Sequence, residues 1–256
     1  MSIRASLRYP NCRGDTMRDV TSPPQRWTVV IPMKPPAHAK SRLRQSVGEK
    51  LATADTTTLA TAFLQDVVAA SLSAVGVDRV LVISPDSTVE RIAVEMGADF
   101  LAEATPFDRN SAATHGGSGL NHALSQAIDE IRADRSLVPI LIVTGDVAAL
   151  RSESLSTVIE IAQRDDAACF VADQGGEGTT ILALPHGTSI GLRFGIGSAA
   201  AHRAAGAVDI SDDVEPDARI DIDTSHDLAV ALAYGVGTHT AEAVATLAHV
   251  EGGPPA

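Results

Sequence analysis

The sequence predicts an α/β fold built on a mostly parallel, doubly wound sheet. Short apolar segments rich in β-branched residues alternate with longer helical segments along most of the chain, as in folds whose helices cover both faces of a parallel sheet. The hydrophobic fraction is 45% and the aromatic fraction is 3%, so the core must consist mainly of Ala, Val, Leu and Ile. A chain of 256 residues is long enough for one sizeable domain.

We expect that single domain to span residues 27–250. Residues 1–26 contain five Arg and two Asp with Ser, Thr and Pro, but no continuous apolar run. They therefore lack the apolar core of a secretory signal, and we expect a disordered tail. Residues 251–256, which end in two prolines and an alanine, are expected to be a frayed terminus.

The first part of the domain predicts alternating strands and helices. Strands are expected at short β-branched runs and helices at longer runs with helical periodicity. In chain order these are a strand at 27–32, a basic loop, a helix at 49–74, a strand at 79–84, a helix at 87–96, a strand at 99–101, a long loop rich in Gly, Ser and Asn, a helix at 120–132, a strand at 138–143 and a helix at 152–163.

The second part continues with shorter elements. In order, it predicts strands at 168–172 and 179–183, a glycine-rich bend at 194–198, a short alanine-rich helix, a strand at 207–210, an acidic stretch at 212–223 and a terminal helix from about residue 224. The alternation of strands and helices implies a mostly parallel, doubly wound sheet.

Charge and composition exclude several classes of function. The net charge of -12 opposes general binding to nucleic acid, which depends on clustered Lys and Arg. No apolar stretch approaches the roughly 18 to 20 residues that cross a bilayer, so no membrane insertion is expected. The two cysteines, Cys12 and Cys169, are too few to form a disulfide framework, which favours a reducing cytoplasm.

A basic cluster follows the first predicted strand and contains Lys34, Lys40, Ser41 and Arg42. In open α/β sheets, the first strand-to-helix connection commonly binds phosphates. The segment lacks the Gly-x-x-x-x-Gly-Lys pattern of a P-loop, so side-chain charges would have to hold a triphosphate. A solvated basic loop is the alternative interpretation.

A glycine-rich loop at 114–119 leads into Leu120 and Asn121 at a predicted helix start. Glycines allow close approach of the backbone to a base or a ribose, and an Asn amide matches the donors and acceptors of a nucleobase edge. Spacing alone favours a flexible connector with a helix cap.

Three carboxylates are candidate metal ligands. Asp146 follows the strand at 138–143, and Asp221 and Asp223 lie in the acidic stretch. Carboxylates that converge at strand ends supply the hard oxygen ligands that Mg²⁺ requires. Helix caps and solvated surface acids are the alternatives.

Hydroxyl groups and glycines form a further candidate site at Thr179, Gly195 and Ser198. Hydroxyls and accessible backbone amides near a helix N-terminus are suited to a carboxylate or phosphate of a small acid. The eight histidines show no zinc-ligand spacing, and no Gly-x-Ser-x-Gly elbow occurs.

Taken together, the motifs resemble those of the 2-phospho-L-lactate/phosphoenolpyruvate guanylyltransferases of coenzyme F420 biosynthesis. The matching segments are Lys34, Ala-Lys-Ser-Arg-Leu at 39–43, Gly-Leu-Asn at 119–121, Gly-Asp at 145–146, Gly-Thr-Thr at 178–180, Phe-Gly at 194–195 and Asp-Ile-Asp-Thr at 221–224. Each motif is weak alone, but their order and spacing agree from about Trp27 to Tyr234.

The resemblance implies a nucleotide-diphospho-sugar transferase (glycosyltransferase-A-like) fold. It implies transfer of GMP from GTP to phosphoenolpyruvate or 2-phospho-L-lactate, with release of pyrophosphate. The implied catalytic residues are Lys34, Lys40, Arg42 and Asp146. GTP would be bound by Lys34, Lys40, Ser41, Arg42, Leu120 and Asn121, the small acid by Thr179, Gly195 and Ser198, and Mg²⁺ by Asp146, Asp221 and Asp223.

The resemblance also implies a downstream transferase of the pathway as a functional partner, and a homodimer is possible. One departure concerns the turn after Asp146, where Val147 and Ala148 replace the family's usual Leu-Pro. Other nucleotidyltransferases of this fold, acting on the molybdenum cofactor or sugar phosphates, are alternatives. A non-catalytic GTP-binding regulator is another, and 3-phosphoglycerate is a further candidate acid.

Overall fold

The computed structural model describes residues 26–38, 40–47, 53–103, 119–134 and 138–251. The strands are β1 (Trp27–Pro32), β2 (Val77–Ser84), β3 (Asp99–Ala102), β4 (Ile140–Val143), β5 (Cys169–Ala172), β6 (Thr179–Leu184) and β7 (Val208–Asp209). The helices are α1 (Ser41–Val47), α2 (Thr53–Ser73), α3 (Ser87–Glu95), α4 (Gly119–Asp134), α5 (Ser152–Asp165), α6 (Ser198–Ala204), α7 (Ser225–Tyr234) and α8 (Thr238–Glu251). Of the predicted tail at 1–26, only Arg26 lies within the described residues.

All seven strands belong to one sheet in the order β3-β2-β1-β4-β6-β5-β7. The pairs β1–β2, β1–β4, β2–β3 and β5–β7 are parallel, whereas β6 is antiparallel to both β4 and β5. The predicted mostly parallel sheet is confirmed. Since Val30 of β1 pairs with Ile142 of β4, the loops that follow these two strands leave the same edge of the sheet.

Helices cover both faces of this sheet. Val29 and Ile31 of β1 join one core cluster with residues of α2 and α5, whereas Val30 joins a second cluster with residues of α4 and α6. This division follows from strand geometry, because successive side chains point to opposite faces. The central strands are apolar on both sides, as expected for a doubly wound sheet.

A third, smaller core cluster anchors two of the predicted functional motifs. Leu43 of α1 and Ile222 of the acidic stretch are fully buried and belong to the same cluster as Phe63 of α2. Burying Leu43 fixes α1 beside α2, and burying Ile222 orients the carboxylates on either side of it. The apolar residues within both motifs therefore hold the charged residues in place.

Two helix predictions needed correction. Residues 41–47, predicted as part of a basic loop, form α1, whose Leu43 is fully buried. The single terminal helix predicted from residue 224 is two helices, because α7 ends before Gly235, which has a φ of 112°, and α8 begins at Thr238. Glu251, predicted to fray, is the last residue of α8.

Other sequence predictions fall outside the described residues. They concern the start of the helix predicted at 49–74, most of the loop before Gly119, and residues 252–256. Within the described ranges, no helix combines the length and the apolar character needed to cross a membrane.

Candidate active site

A cleft of about 530 Å³ lies at the edge of the sheet where β1, β2, β3 and β4 end. It brings together predicted residues from distant parts of the sequence: Lys34, Lys40, Arg42, Leu120, Asp146, Gly195 and Asp223. This position agrees with the rule that ligands of open α/β sheets bind beyond the carboxyl ends of the strands.

Lys40 lies between two of the predicted acidic ligands. Its Nζ donates to Oδ2 of Asp146 at 2.7 Å and to Oδ1 of Asp223 at 3.4 Å. The Lys40 side chain is only 8% exposed. The backbone of Lys40 has a φ of 58°, a left-handed conformation that costs a non-glycine residue about 1–2 kcal/mol. Such strain at a charged, buried side chain is typical of functional sites.

The charges of Lys40 and Asp146 stabilise each other. Burial opposes the charged form of Lys40, but the carboxylates of Asp146 and Asp223 outweigh it and raise the lysine's pKa. Burial likewise opposes ionisation of Asp146, but the Lys40 ammonium holds the pKa of that carboxyl below its usual range. Both groups are therefore charged at neutral pH.

Backbone hydrogen bonds join Asp146 to the second acidic motif. The N–H of Ile222, which lies between Asp221 and Asp223, donates to the carbonyl oxygen of Asp146 at 3.1 Å. Oδ1 of Asp146 is buried, and within the described part of the chain no group lies in hydrogen-bond geometry to it. An unsatisfied buried carboxylate oxygen is costly, so this atom is suited to receive a donor or a cation from a ligand.

The pKa of Asp221 is shifted in the opposite direction to that of Asp146. Burial and the negative charges of Asp146, Asp173 and Asp223 raise its pKa to about 7. Across the described part of the chain, no three Asp, Glu, His or Cys side chains converge on one metal position. The ammonium of Lys40 instead lies against two of the predicted metal ligands, Asp146 and Asp223.

The other predicted cations line the entrance of the cleft. Nη1 of Arg42 lies 3.2 Å from Oδ2 of Asp223, and the Arg42 side chain is 73% exposed. Lys34 is also exposed. Ser41 is the first residue of α1. Arg42 and Lys34 are thus placed where they can contact a phosphate chain without moving a buried group.

The Asn121 side chain binds the protein backbone, whereas the sequence analysis placed it at the nucleotide. Its Nδ2 donates to the carbonyl oxygen of Phe194 at 3.1 Å, and its Oδ1 accepts from the Phe194 N–H at 2.9 Å. A contact between this amide and a nucleobase edge would have to compete with both bonds. The side chain instead fixes the segment that carries Gly195 to the start of α4.

Thr179 and Ser198 do not line the cleft that contains Gly195. They lie behind it and are only 7% and 1% exposed. The backbone N–H of Ser198 donates to the carbonyl oxygen of Gly195 at 3.1 Å. Oγ1 of Thr179 lies 3.0 Å from Nδ1 of His202.

His202 is a site residue that the sequence analysis missed. Its Nε2 accepts the backbone N–H of Arg193 at 3.1 Å, so the neutral ring carries its proton on Nδ1 and donates it to Thr179. Burial, assisted by the charge of Arg193, lowers the pKa of His202 to about 4. A lone histidine in an alanine-rich helix gave no sequence signal, because its partners are distant strand and loop residues.

The sequence profile of the family described as "Guanylyl transferase CofC like" matches residues 27–250. This chain belongs to that family. A phosphoenolpyruvate guanylyltransferase from Streptomyces scabiei is 38% identical over 221 residues, which cover 86% of this chain and 97% of the relative. A protein of the same name from Mycolicibacterium gilvum is 36% identical and covers 84% of this chain and 94% of its own length.

Solved structures support the nucleotide-diphospho-sugar transferase fold of this CofC-like chain. A proposed transferase of that class from Desulfovibrio desulfuricans aligns with a TM-score of 0.57 at 15% identity, covering 88% of this chain and 98% of that one. A nucleotidyl transferase from Methanothermobacter gives a TM-score of 0.51 at 15% identity, covering 82% and 97%.

The departure from the family's usual Asp-Leu-Pro-Ala-Leu segment has a structural compensation in this CofC-like protein. Val147 and Ala148 are fully buried. The N–H of Leu150 donates to the Val147 carbonyl at 3.0 Å, and the N–H of Gly237 donates to the Ala148 carbonyl at 3.0 Å. These contacts hold the turn after Asp146 without the rigidity of proline.

Proposed function

We propose that this chain transfers GMP from GTP to phosphoenolpyruvate and releases pyrophosphate, within coenzyme F420 biosynthesis. The observation that carries the proposal is the cleft in which Lys34, Lys40 and Arg42 meet Asp146 and Asp223. The cations match a triphosphate, and the carboxylates match a divalent metal. The names of the relatives support phosphoenolpyruvate as the acceptor, with 2-phospho-L-lactate as the second candidate.

The transfer needs no dedicated base. The acceptor's phosphate is already ionised at neutral pH, and one of its oxygens attacks the α-phosphorus of GTP. A new bond forms between this oxygen and the α-phosphorus. The bond between the α-phosphorus and the oxygen that bridges it to the β-phosphorus breaks, and pyrophosphate leaves with the electron pair of that bond. Lys34 and Arg42 stabilise the negative charge that develops on the departing oxygens. This chemistry agrees with a cleft lined by cations and carboxylates.

We propose that three carboxylates hold a magnesium ion, which requires a small rearrangement because the described side chains do not converge on one metal position. One buried oxygen of Asp146 has no hydrogen-bond partner among the described residues. The pKa of Asp221 is raised by burial and by repulsion from neighbouring carboxylates, and a bound cation would relieve that repulsion. Asp146 and Asp221, with Asp223, would hold it. When bound, Mg²⁺ would neutralise the two anionic reactants and the departing pyrophosphate. The Lys40 ammonium keeps Asp146 ionised and donates hydrogen bonds to both Asp146 and Asp223.

Gly195, Thr179 and Ser198 are proposed to bind the small acid. Gly195 lines the cleft, the backbone N–H of Ser198 donates to the Gly195 carbonyl, and Thr179 contacts His202 on the same helix as Ser198. Because Thr179 accepts the proton of His202 Nδ1, its own hydroxyl proton remains to be donated to a substrate oxygen. A short rearrangement of the 194–198 segment would bring these groups to a carboxylate or phosphate.

The product contains a reactive mixed diphosphate and requires a downstream transferase that consumes it, which we propose as the functional partner. Cys169 is buried as a free thiol, which supports a cytoplasmic setting. A homodimer is also proposed.

The first experiment measures pyrophosphate release from GTP and Mg²⁺ with phosphoenolpyruvate, 2-phospho-L-lactate or 3-phosphoglycerate, with the downstream transferase added to remove product. ATP is the nucleotide control, and Asp146→Asn is the variant control. Release with GTP and one acid, abolished in Asp146→Asn, supports the proposal. GTP binding without release with any acid would instead support a non-catalytic regulator.

A further inference from the structure

Glu103 lines the active-site cleft but was not identified in the sequence analysis. It follows β3 directly, and its backbone N–H donates to the carbonyl oxygen of Ser84, the last residue of β2, at 3.1 Å. Nε2 of Gln126 on α4 donates to the carbonyl of Ala102 at 3.0 Å. The backbone before Glu103 is therefore fixed between the sheet and α4.

The cleft has two chemically different ends. Lys34, Lys40 and Asp146 mark the charged end, beyond β1 and β4. Among the described residues beyond β2 and β3, the lining is apolar except for Glu103 and includes Ile83, Pro85, Leu120 and Ala123. A flat aromatic ring is suited to these apolar walls. The second end is therefore the place for the base of a nucleotide whose phosphates lie at the first.

A carboxylate in this apolar end is placed to accept a hydrogen bond from a bound ligand. Burial raises the pKa of Glu103 although the nearby His122 lowers it, so its environment is partly desolvated. A carboxylate placed there would repel phosphates. The base and the ribose hydroxyls are the uncharged donors of a nucleotide, and the flat base is the part suited to the apolar walls of this end.

The residue predicted to contact the base is already engaged. Both ends of the Asn121 amide bind the backbone of Phe194. Among the described residues that line the apolar end of the cleft, Glu103 is the one with a charged side chain.

We infer that the Glu103 carboxylate recognises the guanine base by accepting its N1–H and 2-amino N–H, and so selects GTP over ATP. This inference rests on the proposed function and specifies its nucleotide specificity. Guanine presents these two donors side by side, matching the two oxygens of a carboxylate. Adenine presents an acceptor at N1 and no 2-amino group, which would leave the carboxylate unpaired or in repulsion.

The decisive variant is Glu103→Gln, which keeps the shape but replaces one acceptor with a donor. The amide oxygen of the glutamine would still accept the N1–H of the base, while the NH₂ group would face the substituent at position 2 of the base. Xanthine carries an oxygen there, so we expect XTP to become the better substrate. We expect kcat/KM for GTP to fall by about 10- to 100-fold. Pyrophosphate release with GTP, XTP, ITP and ATP measures these preferences.

Two control variants separate recognition from structure. Glu130→Gln, an exposed position on α4, should keep the wild-type order of nucleotides. His122→Gln tests whether Glu103 serves mainly as the electrostatic partner of His122. If it did, His122→Gln would change the GTP-to-XTP ratio as much as Glu103→Gln does.

The outcomes distinguish the two proposals. A wild-type protein that releases no pyrophosphate from GTP with any acid overturns the proposed function. A wild-type protein active with GTP, together with a Glu103→Gln variant that still prefers GTP to XTP, overturns only the role of Glu103. Wild-type protein also tests the inference without any variant, because ITP lacks the 2-amino group and should be at least about 10-fold poorer than GTP. Equal use of GTP and ITP would contradict it.

Discussion

Nζ of Lys40 lies 2.7 Å from Oδ2 of Asp146, although 106 positions separate the two residues along the chain. The pairing of β1 with β4 makes this contact possible, because the segments that follow both strands leave one edge of the sheet. A buried ion pair contributes little net stability, since desolvation offsets the attraction. Both residues line the cleft, which agrees with the proposed role of the pair in binding and chemistry.

The Lys40–Asp146 pair predicts a specific pattern of stability. Lys40→Met leaves a buried, uncompensated carboxylate, and we expect a loss of about 3 kcal/mol in the free energy of unfolding. Adding Asp146→Asn removes that charge and should restore part of the loss. Urea denaturation measures both effects, and pyrophosphate release should be absent in both variants. Equal stabilities for the single and double variants would contradict the coupling.

Magnesium binding should depend on pH through Asp221. Protons compete with Mg²⁺ for its carboxylate, so the apparent affinity should weaken as pH falls through about 7. The increase in Tm caused by Mg²⁺ should therefore be larger at pH 8 than at pH 6. Asp221→Asn should reduce the increase and flatten its pH dependence. A pH-independent increase in the wild-type protein would argue against Asp221 as a ligand.

Without Mg²⁺, the same raised pKa has a separate effect on folding. The folded protein retains the Asp221 proton up to about pH 7, whereas the unfolded chain loses it near 3.8. The stability that Asp221 contributes is therefore fully present below its pKa in the unfolded chain. It is lost as the pH rises through its pKa in the folded protein. Comparing wild type with Asp221→Asn by thermal unfolding in EDTA isolates this contribution.

His202 predicts the opposite pH dependence. Its pKa is lowered from 6.5 to about 4. Between these two pH values, the ring is protonated in the unfolded chain and neutral in the folded protein. The contribution of the neutral ring is present above pH 6.5 and is lost as pH falls toward 4. It amounts to at most about 3 kcal/mol, at roughly 1.4 kcal/mol per pKa unit. Denaturation of wild type and His202→Gln between these pH values should show converging stabilities.

His202→Gln also tests the orientation of Thr179. We expect KM for the small acid to rise while KM for GTP changes little, because the hydroxyl would lose its fixed hydrogen-bond partner. His226→Gln, at an exposed position of α7, is the matched control. Equal increases in both KM values would indicate a general loss of structure.

Gly237 is predicted to be essential for attaching α8. The carboxylate of Asp66 on α2 accepts the N–H groups of His239 at 3.0 Å and Thr240 at 2.9 Å. A side chain at residue 237 would collide with that carboxylate. Gly237→Ala should cost about 2–3 kcal/mol in thermal or urea unfolding. Gly191→Ala, where an added Cβ meets only ordinary contacts at 3.6 Å or more, should be nearly neutral.

Much of the architecture was predictable because it depends on local patterns. The β-branched run at 27–32 and the apolar segment ending at Val143 formed adjacent parallel strands. The parallel direction was expected from the alternation of strands and helices, whereas the adjacency of these two strands was not predicted. The positions of Lys40 and Asp146 after these strands followed from the same pattern. By contrast, β6 is as apolar as its neighbours, and nothing in its composition distinguishes its antiparallel direction.

Thus the sequence by itself determined the class of fold, the basic and acidic motifs and their positions at strand ends, because periodicity and residue chemistry are local properties. Only the tertiary structure decided that Lys40 would bind two distant carboxylates, that the Asn121 amide would bind Phe194, and that His202 would meet Thr179. Those contacts depend on how separate elements pack, and packing places side chains within 3 to 4 Å of each other only after the whole sheet and its helices have assembled.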